Sequence, residues 1–313
     1  MDRLDLEVPA GTLFGFLGPN GAGKTTTIRM LLGLIFPTDG DVEVLGEAVF
    51  GAGGSRVVRR VGAMIEEPAA WPYLSGRRNL QYHARAGGPR DDRSARLGRV
   101  DDVLQIVGLE DAAGKKVAAY SQGMRQRLGI AQALLGSPEV LVLDEPTNGL
   151  DPGGMREIRA LLRRLADDGV TVFVSSHLLF EVEAMCDRVG VLARGRLVAE
   201  GPPADLRAPA DRFRIEVDDR SAAVTVLSSL VGVEIERAAG GSESPGSPAG
   251  ALAIRLRPPA AAAAVNAALV AAGVGVSALV PVQGTLEDVF LELVGEAGSA
   301  GPAGGDEVGD VRG

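Results

Sequence analysis

Residues 12–35 read "TLFGFLGPNGAGKTTTIRMLLGLI". A short apolar run, a glycine-rich turn and a stretch of helix formers follow one another, and Pro37 stops the last. The order is strand, loop, helix. Inside it, "GPNGAGKT" at 18–25 fits the pattern G-x-x-x-x-G-K-[ST]. The glycines let backbone N–H groups turn inward around phosphate oxygens, and the helix that follows adds its positive end. Lys24 is placed to reach the β- and γ-phosphates of a nucleotide, and the Thr25 hydroxyl to bind Mg²⁺. An ordinary strand–turn–helix junction would need neither side chain. The candidate cradle is Gly18, Pro19, Asn20, Gly21, Ala22, Gly23, Lys24, Thr25 and Thr26.

The same alternation continues outward. "EVLVLDEP" at 139–146 is short and apolar, the mark of a strand buried on both faces. A helix follows in "GGMREIRALLRRLADDG", then a second buried strand in "VTVFVSSH" at 170–177. A helix at 178–187 and a hairpin-like pair, "VGVLARGRLVAEG", come next. "DGDVEVLG" at 39–46 reads as a turn and a strand. Residues 77–136 are mostly helical, broken by Gly/Pro clusters at 86–89 and by "YSQGMRQR" at 120–127. Strands alternating with helices imply an α/β core with a largely parallel sheet. Asp144 ends one buried strand, so its carboxylate emerges at the carboxyl edge of the sheet, where it can hold Mg²⁺ through water. Glu145 follows where it could polarise a water attacking the γ-phosphate. Two adjacent acids alone would be a solvated turn. The apolar run before them and the cradle upstream argue for a site.

Beyond "GPPADLRAPA" the pattern changes. "RFRIEV", "RSAAVTVLSSLVG" and "VEIERA" read strand, helix, strand; after a polar loop at 240–250, "ALAIRLR", an Ala-rich helix and "GVSALVPV" repeat that order. This suits a small α+β unit of split-βαβ type. "TLEDVFLELVG" reads as one more amphipathic helix, and the tail at 295–313 lacks apolar content and is expected to be disordered. The expected boundaries are 1–205, 211–294 and 295–313.

At 313 residues the length suggests two domains, though one large domain is possible. A composition 46% hydrophobic and 23% charged is that of a globular protein in water. A net charge of −9 argues against a duplex nucleic-acid binder, which needs a broad basic face. The single cysteine, Cys186, rules out an intramolecular disulfide framework and reads as a small core residue. No secretory signal opens the chain, and residues 258–276 are Ala-rich with Asn266 inside, so they read as helix and strand rather than a membrane span. The expected place is the cytoplasm, unless a partner holds the chain at a membrane.

With these motifs in place, the chain resembles the nucleotide-binding subunit of an ABC transporter over roughly residues 4–205. "YSQGMRQR" stands where that family has its signature loop, usually written LSGGQ. "NGLD" at 148–151 resembles the D-loop, ending in Asp151, and His177 in "SSH" resembles the switch histidine. His83 has no such context and reads as a surface or packing residue. The resemblance implies a P-loop fold with a helical signature subdomain, and ATP and Mg²⁺ as cofactors. It also implies that Ser121, Gln122, Gly123 and Met124 complete the γ-phosphate site of a second copy packed head to tail. ATP would then be the glue of a homodimer, and hydrolysis would dissolve it. Without that context, "SQGMRQR" would read as a capped amphipathic helix.

Three departures stand out. Gln122 replaces a glycine of the signature and Met124 the usual glutamine, a pattern similar to type-2 exporters of the drug and antibiotic self-resistance kind. Glu66 falls where the family has its Q-loop glutamine, which makes it a candidate Mg²⁺ ligand or one half of a surface acidic pair with Glu67. No aromatic residue precedes Phe14 to stack on adenine, so either adenine binding is weak or the true start lies upstream; the second is the expectation.

The function implied is ATP-driven export through a separate membrane permease, of a drug, antibiotic or other hydrophobic compound. Residues 68–82, with Trp71, Pro72, Tyr73 and Leu74, are either the surface that meets the permease or packing for the helical subdomain. The rivals are an ATPase acting on ribosomes or DNA, and a low-turnover nucleotide sensor. The absence of a second cassette and of coiled-coil insertions speaks against the first, Glu145 and His177 against the second.

Overall fold

The structure is a computed structural model that describes residues 1–51, 53–65, 68–86, 93–206, 211–236 and 251–282. These divide between two compact units, one within Met1–Leu206 and one within residues 211–282.

The first unit is built on a six-stranded sheet. In chain order its strands are β1 (Leu13–Leu17), β4 (Val61–Met64), β5 (Val140–Asp144), β6 (Thr171–Ser176), β7 (Arg188–Ala193) and β8 (Arg196–Gly201). The spatial order is β4-β5-β6-β1-β7-β8. All neighbours are parallel except the β7–β8 hairpin. Every residue of β1 and β6 is buried, the hydroxyl-bearing Thr171, Ser175 and Ser176 of β6 included. Phe173 of β6 stacks on Phe14 at 5.7 Å and packs on Phe16 at 5.3 Å. Helix α1 (Lys24–Leu31) leaves β1 through the glycine loop, and α7 (Pro152–Asp167) joins β5 to β6. Asp151 caps α7 by accepting from Gly154 N at 3.0 Å, and Pro152 opens the helix, where a missing N–H costs nothing. Helix α8 (Leu179–Met185) lies against β1 at Gly15, where an added Cβ would collide with Val182 and Cys186.

Strand β4 was not legible in the sequence. It is four residues long and contains Gly62, with Val61 its one β-branched side chain, so neither alternation nor a run of branched residues marks it. Pairing with β5 makes it a strand, and Gly62 is needed because the Ala133 carbonyl presses on it. The strand expected within 39–46 is only two residues, β2 (Glu43–Val44), paired with β3 (Glu47–Ala48) across Leu45 and Gly46, both at positive φ. Between β4 and β5 lie the helices expected there: α3 (Gly76–Ala86), α4 (Arg93–Gly98), α5 (Val100–Ile106) and α6 (Gln122–Leu134), with α2 (Gly54–Val58) before them. Trp71 packs on Tyr82 at 4.3 Å and on His83 at 5.2 Å, while Tyr73 is exposed. His83 is thus a packing residue, and its Nε2 sits 3.1 Å from Ala69 O. Cys186 is buried, and burial pushes its thiol far above the usual range.

The second unit is an antiparallel sheet of β9 (Arg212–Val217), β10 (Val233–Glu236), β11 (Ala251–Leu256) and β12 (Val276–Val282) in the order β10-β11-β9-β12. Helices α9 (Arg220–Ser229) and α10 (Ala262–Ala271) complete a split βαβ pattern. The Ala-rich stretch is therefore one ten-residue helix and part of a strand. Alternation sets the faces: Ile215, Val217, Leu252, Ile254 and Leu256 form the core with Ala223, Leu227, Val265 and Leu269 of the helices. The loop at 240–250, the helix expected at 285–295, the tail and Glu66 lie outside the described residues.

Candidate nucleotide site

The glycine loop runs from the carboxyl end of β1 into α1. Gly21 and Gly23 have φ of 80° and 111°, conformations that side chains resist. A Cβ at Gly21 would meet open space, whereas one at Gly23 would run into Met1 Sδ. Lys24 is buried with 6% exposure, and its Nζ donates to Gly18 O at 2.7 Å. The ammonium therefore lies inside the loop, where phosphate oxygens would be gathered.

Strands β5 and β6 end in register, Asp144 opposite Ser175, which delivers the acids to the same edge. Asp144, 4% exposed, accepts from Thr25 Oγ1 at 2.8 Å through Oδ2 and from Ser175 Oγ at 2.5 Å through Oδ1. Ser175 Oγ also accepts the Glu145 N–H at 3.0 Å. One hydroxyl thus fixes both acids. Glu145 has a φ of 49°, a left-handed value that a non-glycine residue takes only when its surroundings impose it. The turn aims its carboxylate at two nitrogens: Lys24 Nζ lies 3.2 Å from Oε1, and His177 Nδ1 lies 2.7 Å from Oε2. An ionised carboxylate can only accept, so Nδ1 carries the proton and Nε2 of the exposed His177 is left to face outward chemistry. Thr25, Asp144 and Glu145 present only oxygens, the donor set that a hard divalent cation takes.

A glycine loop, a lysine inside it, and two acids at the end of β5 form a constellation suited to nucleotide hydrolysis. Residues 1–148 also match the family model described as ABC transporter. The chain is 41% identical over 304 residues to the uncharacterized ABC transporter ATP-binding protein YhcH of Bacillus subtilis, covering 95% of this chain and 91% of that one. The chain belongs to the ABC transporter ATP-binding family. As a member it is an ATPase that binds nucleotide. It is 44% identical over 229 residues to the bacitracin transport ATP-binding protein BcrA of Bacillus licheniformis, across 72% of this chain and 73% of that one. Identity to the daunorubicin/doxorubicin resistance ATP-binding protein DrrA of Streptomyces peucetius is 35% over 300 residues, 94% of this chain and 88% of DrrA. Among solved structures, cbiO1 of Clostridium perfringens, part of a transporter complex, aligns with a TM-score of 0.58 at 29% identity, over 65% of this chain and 82% of that one. A dimeric ATP-binding cassette holding ADP and Pi aligns with a TM-score of 0.54 at 26% identity, over 64% and 88% of the two chains.

In this ABC ATPase the segment "YSQGMRQR" at 120–127 is a capped helix start. Tyr120 is buried and donates through Oη to Ala112 O at 2.8 Å; burial pushes its phenol above the usual range. Ser121, exposed, caps α6 by accepting from Met124 N at 3.2 Å. Gln122 does not project freely: its Oε1 accepts from Arg125 Nε at 3.3 Å and Nη2 at 3.1 Å, while Arg125 Nη1 donates to Tyr120 O at 2.9 Å. The substitution of glycine by glutamine is thereby absorbed into a clamp on the loop's own backbone. Of the residues singled out in the sequence, the glycine loop, Thr25, Asp144, Glu145 and His177 meet in one constellation. Ser121, Gln122 and Met124 bond within their own segment, and Asp151 serves as the α7 cap. Ser175 was missed, although its place next to the strand end in "SSH" gives it a hydroxyl opposite Asp144.

Proposed function

We propose that this chain powers an exporter of a drug, antibiotic or other hydrophobic compound, working as a head-to-tail homodimer closed by Mg-ATP on a separate membrane permease. The observation that carries the reading is the Lys24–Glu145–His177 chain of contacts beside the Thr25–Asp144 pair. Relatives that act in bacitracin transport and in daunorubicin/doxorubicin resistance support the substrate class.

Residues Gly18 to Thr26 wrap the phosphates, with Lys24 moving its ammonium from Gly18 O and Glu145 to the β- and γ-oxygens. Thr25 and Asp144, with Glu66, would hold Mg²⁺, whose charge offsets that of the phosphates when bound. Once Lys24 is drawn away, Glu145 is free to accept a proton from water, and His177 holds its carboxylate in place. Ser121, Gln122, Gly123 and Met124 then meet the γ-phosphate held by the second copy, with Asp151 at the adjoining loop. Residues 1–205 form the ATPase domain, and the second unit is an accessory domain. Among the described residues no helix is long and apolar enough to cross a membrane, so the inner face of the membrane is reached through the permease. Tyr73, 65% exposed beside a Trp71 that is already packed, is with Pro72, Arg78 and Tyr82 among the exposed residues of 68–82 that would meet it.

Light scattering on Glu145→Gln, with and without Mg-ATP, tests this. The expected result is a monomer that becomes a dimer only with ATP. A variant that binds ATP and stays monomeric would refute the homodimer closed by nucleotide.

A further inference from the structure

Beneath the exposed contact between Glu145 and His177 lies a second tie between the same two segments. Glu181, on α8, has no exposed surface, and Thr147 is 2% exposed. The Thr147 hydroxyl donates to Glu181 Oε2 at 2.5 Å. The other carboxylate oxygen, equally buried, has no hydrogen-bond partner among the described residues. Sealing a carboxylate from water with so little compensation is costly, and a neutral side chain of similar size would serve stability better. Local rules broken in this way cluster where function demands them.

The position of the pair suggests the demand. Pairing of β5 with β6 ends at Asp144 and Ser175. Beyond it the two chains separate, one into the left-handed turn at Glu145, the other toward His177. Thr147 stands in the first branch, within a turn closed by Asn148 N to Glu145 O at 3.1 Å and Leu150 N to Thr147 O at 3.2 Å. Glu181 stands in the second, on a helix held against β1 by Val182 at Gly15. The hydroxyl–carboxylate bond therefore extends the tie past the end of the sheet, under the reacting groups.

We propose that Glu181 is a positioning residue for hydrolysis: through Thr147 it locks the Glu145 turn to the helix after His177 and so sets the geometry between those two side chains. The inference rests on the reading of Glu145 and His177 given above. Small misplacements of such groups lower turnover rather than affinity.

The test uses steady-state ATP hydrolysis and melting of the full chain. Thr147→Val removes the donor at nearly constant volume and is expected to lower kcat by about tenfold, with the KM for ATP within about twofold of the parent. Thr147→Ser, which restores a hydroxyl, returns kcat to within about twofold. Glu181→Gln still accepts through its amide oxygen; it keeps most of the turnover and melts no earlier than the parent. Parental kcat in Thr147→Val, or a loss confined to KM, overturns the proposal. If Thr147→Val does not fold, Glu181→Leu is read the same way, and parental kcat there overturns it too. A parent that hydrolyses no ATP defeats the functional reading itself, whereas a hydrolysing parent with indifferent variants defeats only the role of Glu181.

Discussion

The two units treat charge in opposite ways. In the first, Lys24, Asp144 and Glu181 are buried at the carboxyl edge of a parallel sheet, each held by one to three neighbours. In the second, the buried core among the described residues is built of apolar side chains, and charges pair as in Arg257–Glu234, Arg212–Glu236 and Arg214–Glu216, all at least partly exposed. Both sheets have apolar cores, so burial alone does not separate them. Charges held out of water are costly and accumulate where chemistry uses them; paired surface charges cost little and contribute little. The contrast locates the chemistry in the first unit.

Substitutions can sharpen that contrast. The largest effect is expected at Glu145. Glu145→Gln should lower steady-state kcat by about 10³-fold while leaving nucleotide binding in place, as equilibrium titration would show. A loss below about tenfold would place the proton acceptor elsewhere. Next comes the second unit's core. Ile254→Ala should destabilise that unit by about 3 kcal/mol in denaturant unfolding, with little change in the turnover of the folded protein. A large fall in turnover at constant fold would show that the two units do not differ as described. The smallest effect concerns Arg60 and Glu139, a bridge in the first unit that resembles those of the second. Arg60 donates to Glu139 from Nε at 2.6 Å and Nη2 at 2.9 Å. That bonding holds the Glu139 carboxyl below its ordinary value near 4.5. A depressed carboxylate contributes stability above its unfolded value and loses it as pH falls through the folded one. Arg60→Ala should therefore melt slightly earlier than the parent at neutral pH and merge with it in acid. A difference that persists in acid would assign Arg60 a role other than this pair.

Much of the site was legible because its signals are local. The glycine loop needs φ values only glycine adopts readily, and Asp144 follows an apolar run that can be read in a handful of residues. The strands and helices of the second unit were legible for the same reason, since alternation in "RFRIEV" and "ALAIRLR" is a property of neighbours. Strand β4 was not, because it gains its hydrogen bonds from β5. Ser175 looked like any polar residue at a strand end, and Thr147 and Glu181 stand far apart in the chain. Gln122 reads as a substitution in text, yet where its side chain lies depends on Arg125 reaching back to hold it.

By itself, the sequence determined most of the strands and helices, the glycine loop, and the acids at the end of β5, because each depends on spacing along a few residues. Only the tertiary structure decided which distant groups share a site: the register of β5 with β6 that sets Ser175 on Asp144, the turn that brings Glu145 between Lys24 and His177, and the buried bond beneath them. Those contacts join residues whose separation along the chain carries no periodicity, so their geometry exists only once the sheet has closed.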